Sequence, residues 1–93
     1  MEELTIISDF FKALSNNYRL LLILVLKEGE LNVGELQKYI DIKPALLSKH
    51  LKLLMKYDIV RQRRSGRERF YYLANNCFLK NIIKEIMAEM AKD

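Results

Sequence analysis

The sequence predicts a mostly α-helical chain broken once, late, by a β-hairpin, in the order α-α-α-α-β-β-α. Three observations carry that class. Apolar residues recur at spacings of three and four through most of the 93 residues, which is the helical period. Glycine is scarce (Gly29, Gly34, Gly66), Pro44 is the one proline and tryptophan is absent, so the punctuation of a sandwich of short strands is missing. The period changes after Asp58, where IVRQRRSGRERFYYL is rich in β-branched and aromatic side chains. A chain of this length is expected to form one domain, residues 1–93, with a core small enough that a partner subunit would help it.

Leu4, Ile7, Phe10, Phe11 and Leu14 fall on one stripe of a first helix. The second helix is expected to start at Asn16 as cap and stop at Gly29; Leu20 to Leu26 are apolar all round, which reads as a central, buried helix. The stretch ELNVGEL then opens a third. Asn32 is a good N-cap, Glu35 lies three residues on, where it can return a bond to the cap's N–H, and Leu31 and Leu36 occupy the staple positions. Val33, Leu36, Tyr39 and Ile40 give this helix its buried side, and it ends before Pro44 because the residue preceding a proline avoids the α region.

Pro44 suits the first turn of a fourth helix running to about Tyr57. Its inward face is Leu47, His50, Leu51, Leu54 and Met55; the outward face is Ala45, Ser48, Lys49, Lys52 and Lys56. Two helices joined by the short link Asp41 to Lys43, the second presenting small and cationic groups, form the arrangement that reads a DNA major groove. Ser65 and Gly66 supply the tight turn of the hairpin, whose tip is read as carrying Arg61, Arg63, Arg64, Arg67 and Arg69. A last helix, capped by Asn75 or Asn76, has Phe78, Leu79, Ile82, Ile83, Ile86, Met87 and Met90 along a broad apolar stripe.

The net charge of +4 conceals an asymmetry. Residues 1–42 carry four basic and seven acidic side chains (net −3), residues 43–73 nine and two (net +7), and the remainder three of each. Localised positive charge draws polyanions, so nucleic acid is the leading partner and an anionic membrane surface the second; with the helix pair above, double-stranded DNA is favoured. The longest apolar run, Leu20 to Leu26, is far short of the roughly 18 residues of a membrane span, and the chain opens without a signal pattern, so a cytoplasmic protein with no membrane partner is expected. One cysteine, Cys77, excludes an intrachain disulfide and a Cys-based zinc site within one chain. An enzyme is disfavoured, because the sequence offers no histidine pair, nucleophile constellation or glycine-rich phosphate loop.

Three segments resemble the ArsR/SmtB family of winged helix-turn-helix transcriptional repressors: ALSNNYRLLLILVL its second-helix opening, KPALLSKHLKLLMKYDIV its recognition segment, and RRSGRERFYYL its wing. The pattern Ser48-Lys49-His50-Leu51 with Leu54 and Val60 is the most specific. The resemblance implies a homodimer joined through the first and last helices, acting on a palindromic operator until an inducer, here unknown, releases it. The apolar stripes agree with that, being wider than a core this small can cover; Leu4, Ile7, Phe11, Phe78, Leu79, Ile82, Ile83, Ile86 and Met90 are the expected interface. In the metal-sensing members resembled, the third-helix opening reads E-L-C-V-C-D-L. Asn32 and Gly34 stand here in place of the two cysteines, and the last helix has Glu85, Glu89 and Asp93 but no histidine, so no metal and no cofactor is expected.

The DNA-binding candidates are Lys43, Ala45, Leu46, Ser48 and Lys49 on the fourth helix, with Arg61, Arg63, Arg64, Arg67 and Arg69 on the hairpin. An edge strand also takes charge to resist aggregation, but five arginines against one glutamate exceed that need. His50 reads as a packed, hydrogen-bonded core residue, since no second histidine or cysteine lies near it in sequence. Cys77 reads as a small buried apolar residue; the alternative is a redox sensor forming an intersubunit disulfide. A second functional class, a winged-helix module docking an acidic protein, competes with DNA binding.

Overall fold

Two helices of this chain begin where an asparagine side chain satisfies their free backbone amides. The computed structural model describes residues 2–92. Helix α1 (Glu2–Leu14) is followed by α2 (Asn17–Leu26), whose cap Asn16 accepts from the amides of Tyr18 and Arg19 at 2.9 and 3.2 Å. At the start of α3 (Val33–Tyr39) both halves of the capping box form: the Glu35 amide donates to Asn32 Oδ1 at 2.8 Å, and the Asn32 amide donates to Glu35 Oε1 at 3.0 Å. Helix α4 (Pro44–Lys56) begins on proline, which leaves one fewer amide to satisfy.

The end of α4 is built differently. Asp58 adopts φ 55°, and its amide donates to Met55 O while that of Ile59 donates to Leu54 O, at 3.0 and 2.9 Å. These two bonds are the Schellman pattern, which usually places glycine at the left-handed position; an aspartate is among the few other residues that tolerate it. The reversal feeds directly into strand β2 (Val60–Ser65), which pairs antiparallel with β3 (Glu68–Leu73) around Gly66 and Arg67. Gly66 has φ 63° at the first central position of this two-residue turn. Helix α5 (Asn76–Met90) completes the order.

One element was not anticipated. Leu31 and Asn32 form strand β1, pairing with Tyr71 and Phe70 of β3, so the hairpin is part of a three-stranded sheet in the order β1-β3-β2. Two residues are too few to show an alternating pattern, and the Asn32 side chain already serves α3 as cap. The pairing ties the start of α3 to the ribbon.

The core is centred on the inner face of α4. Leu47, Leu51 and Leu54 pack with Leu22, Ile23 and Leu26 of α2, Leu36 and Ile40 around α3, Ile59, and Val60, Tyr71 and Leu73 at the base of the ribbon. Met55 is half-buried beside them. Helix α2 is not enclosed: Leu20, Leu21 and Leu24 are exposed. Tyr39 is also exposed, so α3 buries a narrower face than its apolar positions suggested. Helix α1 buries only Ala13, and α5 only Leu79. The radius of gyration, 14.0 Å, exceeds the roughly 12 Å of a compact chain this long, as expected when both terminal helices and the ribbon project from the core.

Replacing Asn32 by alanine removes the cap while leaving Leu36 in place; chemical denaturation is expected to show a loss of about 1 kcal/mol.

Candidate nucleic-acid interface

Helix α4 turns its inner residues to the core and leaves Ala45, Ser48, Lys49, Lys52 and Lys56 in solvent, as the helical period requires. Lys43, the residue before the helix, caps with its backbone carbonyl alone, so its exposed side chain is not engaged in the cap. Leu46 lies on the flank of α4, 39% exposed, beside a recess that it shares with Arg19, Lys49, His50 and Leu53.

The five hairpin arginines divide into two sets. Register partners share a face, so Val60, Leu73, Gln62, Tyr71, Arg64 and Arg69 lie on one side of the ribbon, and Arg61, Tyr72, Arg63, Phe70, Ser65 and Glu68 on the other. On the second side both arginines are engaged within the chain. Arg61 is not at the tip but at the base, forked onto Asp58 with two bonds of 2.8 Å. Arg63 is forked onto Glu30, with Nε at 2.8 Å from Oε2 and Nη2 against Oε1, and its guanidinium covers the Phe70 ring at 4.6 Å. The guanidinium bonds hold the Asp58 and Glu30 carboxyls below the usual carboxylate range and raise both arginines. These carboxylates already neutralise the two cations.

Arg64 and Arg69 on the first side, with Arg67 in the turn, form no ion pair among the described residues. Arg64 and Arg69 are direct cross-strand partners, a like-charge pair that destabilises a sheet unless an anion relieves it. With Lys38 they line an open cleft of about 700 Å³ between the ribbon and the first turn of α3. Of the acids in that cleft, Glu35 is held in the capping box and Glu68 stands beside the arginines. The unpaired arginines therefore lie on the helix-turn-helix side of the ribbon.

Other sequence-predicted residues are distributed as follows. Leu4, Ile7, Phe11, Phe78, Ile86 and Met90 are all more than half exposed, together with Ile6 and Met87; Ile82 and Ile83 are half-buried. Leu79 is not exposed with them, being 4% exposed in the core of the chain. Ile6, Ile7, Phe11, Phe78 and Ile82 border one apolar recess between α1 and α5. Cys77 is exposed, not buried as expected, because the first turn of α5 directs only Leu79 inward. Asn75 occupies the cap position of α5 without a side-chain cap bond, and Asn76 instead donates to Lys27 O at 3.5 Å. Among the described residues no three of His, Cys, Asp or Glu cluster as metal ligands, and no helix is long and apolar enough to cross a membrane. Asp93 lies outside the described residues.

Sequence reasoning passed over Arg19. Its Nε donates to Ala13 O at 2.6 Å and its Nη2 to Lys12 O at 3.3 Å, satisfying carbonyls in the last turn of α1, while Nη1 reaches His50 Nδ1 at 3.1 Å. His50 is 7% exposed and tilts against the Tyr18 ring. Two signals pointed here: Arg19 is the lone charge between Lys12 and Lys27, and His50 is the one polar residue on the inward face of α4. Burial pushes the imidazole below its ordinary value, and the Arg19 and Lys49 cations push the same way.

The family model described as "Bacterial regulatory protein, arsR family" matches residues 16–62. A biofilm growth-associated repressor from Xylella fastidiosa is 40% identical over 67 residues, 72% of this chain and 59% of the relative. The HTH-type transcriptional repressor SmtB of Mycobacterium tuberculosis is 33% identical over 85 residues, 91% of this chain and 62% of that protein. The chain thus spans about three fifths of the length of these curated relatives. The crystal structure of the transcriptional repressor BigR from Xylella fastidiosa superposes with a TM-score of 0.83 at 29% identity, covering 99% of this chain and 93% of that one.

Because the folded state disfavours protonated His50, the unfolded chain takes up the proton first as pH falls below the ordinary value of about 6.5. Stability contributed by neutral His50 is complete above that pH and lost progressively as pH drops through the depressed folded value. Thermal melts are expected to show a falling midpoint from pH 7.5 to 5.5, and a flatter profile in His50→Gln.

Proposed function

The chain belongs to the arsR family of bacterial regulatory proteins, and we propose that it is a winged helix-turn-helix repressor of transcription that acts as a homodimer on a two-fold-symmetric DNA site. The observation that carries this reading is a cationic surface without bound carboxylates: Lys49 and Lys52 on α4, and Arg64, Arg67 and Arg69 on the ribbon. Helix α4 enters the major groove with Ala45, Ser48 and Lys49 toward the bases, while Lys43 and the free arginines hold flanking phosphates. Arg61 and Arg63 keep the ribbon in place from its other side, so their part in binding is indirect. Leu46, on the flank, is the weakest member of the contact set.

Dimerisation rests on exposed apolar surface. An isolated 13-residue helix is marginal in water, and α1 buries one alanine against its own subunit while Leu4, Ile6, Ile7 and Phe11 face solvent. Covering that face with the same face of a second copy, together with Phe78 and Ile86 of α5, gives a closed two-fold assembly. Two recognition helices so related meet half-sites about 34 Å apart, or a multiple of it.

Binding to duplex DNA is expected to weaken with salt, log affinity falling against log salt with a slope near −7 if about four phosphates are neutralised per subunit. Arg64→Ala/Arg67→Ala is expected to reduce the magnitude of that slope by about 3 to 4, and Arg61→Ala/Arg63→Ala to leave it nearly unchanged. Fluorescence anisotropy across a salt series reads both; a wild-type slope near zero would remove the electrostatic basis of the proposal. For the dimer, sedimentation velocity of Phe11→Asp/Ile86→Asp is expected to give a species of 11.0 kDa where the wild type gives twice that mass.

A further inference from the structure

Arg19 makes contacts that neither its place in α2 nor the DNA surface accounts for. One guanidinium bonds two carbonyls at the end of α1 and one imidazole nitrogen on the buried side of α4. Because arginine can only donate, His50 Nδ1 must present a lone pair, which fixes the ring as neutral with its proton on Nε2. The groups around the ring are Tyr18 and Arg19 from α2, and Lys49 from α4, with Lys52 and Lys56 lining the same recess. Among the described residues the strands contribute nothing to that recess, and no carboxylate lines it to pair with an imidazolium. The nearest charges, Arg19 and Lys49, oppose one.

We propose that Arg19 is a positioning residue: through neutral His50 it locks the recognition helix to the end of α1, so that the angle between the DNA-reading helix and the dimer helix is fixed. The inference rests on the DNA-binding reading for its consequence and on the hydrogen bonds alone for its geometry. A dimer that must match two half-sites at once needs that angle held, whereas one subunit on one half-site does not. Protonating His50 removes the lone pair and sets two donors against each other, so the lock opens as pH falls.

Two measurements on the full chain test this. Duplexes are selected from a random pool, and affinity for the intact two-half-site duplex is compared with that for one half-site. Arg19→Lys keeps the charge but loses the fork, and is expected to reduce the preference for the intact site about tenfold, which is about 1.4 kcal/mol shared between the two contacts of the dimer. The same preference in wild type is expected to fall between pH 7.5 and 5.5. An unchanged preference in Arg19→Lys, or a pH-independent one in wild type, overturns the positioning role.

Independently of DNA, nitrogen-15 NMR of the single histidine is expected to show unprotonated Nδ1 at pH 7.5, with a titration midpoint that moves up in Arg19→Ala. A proton on Nδ1, or an unmoved midpoint, overturns the lock itself. Should wild type bind no duplex, the DNA reading fails while the histidine spectrum still decides the contact.

Discussion

The one-sided burial of α4 is the constraint from which the remaining geometry follows. Leu47, Leu51 and Leu54 are each no more than 1% exposed, and α2, the base of the ribbon and Ile59 all converge on them. With successive turns of one face committed to the core, the opposite face has to carry Ala45, Ser48, Lys49 and Lys52 outward, and no rotation of the helix can hide them without exposing leucines. The Schellman turn at Asp58 then sends the chain from this fixed helix straight into β2. The ribbon is therefore aimed by the same packing that aims the helix.

Polar contacts divide the cationic segment into parts with different work. Asp58 and Glu30 neutralise Arg61 and Arg63 on one side of the ribbon, leaving Arg64 and Arg69 as unrelieved neighbours on the other. Strand β1 adds a second tie, because its pairing with β3 brings Glu30 alongside the sheet and anchors the first turn of α3. A net charge of +7 over residues 43–73 consequently overstates the free positive surface and conceals its direction. Exposed ion pairs contribute little to stability; their consequence here is to decide which cations stay available.

The terminal helices have the opposite character. Their apolar residues outnumber the core positions available, so α1 fully buries only Ala13 and α5 only Leu79; Phe10, Leu14, Ile82 and Ile83 are half-buried, and the others remain at the surface. Helix α2 belongs partly with them, since Leu20 and Leu24 lie open beside Ile83 and Met87 of α5. The core of the chain is accordingly small, and the outer faces of α1, α2 and α5 form a second apolar layer that is open to solvent.

Much of this was legible in the residues themselves. The capping box at Asn32 and Glu35, the proline start of α4, its inward set ending in Leu54, and the change of period after Asp58 all depend on residues within about four positions of one another, the range over which helical geometry and caps act. Local rules could not supply contacts closed by tertiary packing. The Glu30–Arg63 and Arg19–His50 pairs span 33 and 31 residues, and β1 is a strand only because Phe70 and Tyr71 lie beside it. The exposure of Cys77 and the burial of Leu79 depend likewise on how α5 is seated. Sequence by itself fixed which segments are helices and where the basic residues lie; folding decided which arginines keep their charge free, because that depends on whether a carboxylate distant in the chain arrives beside them.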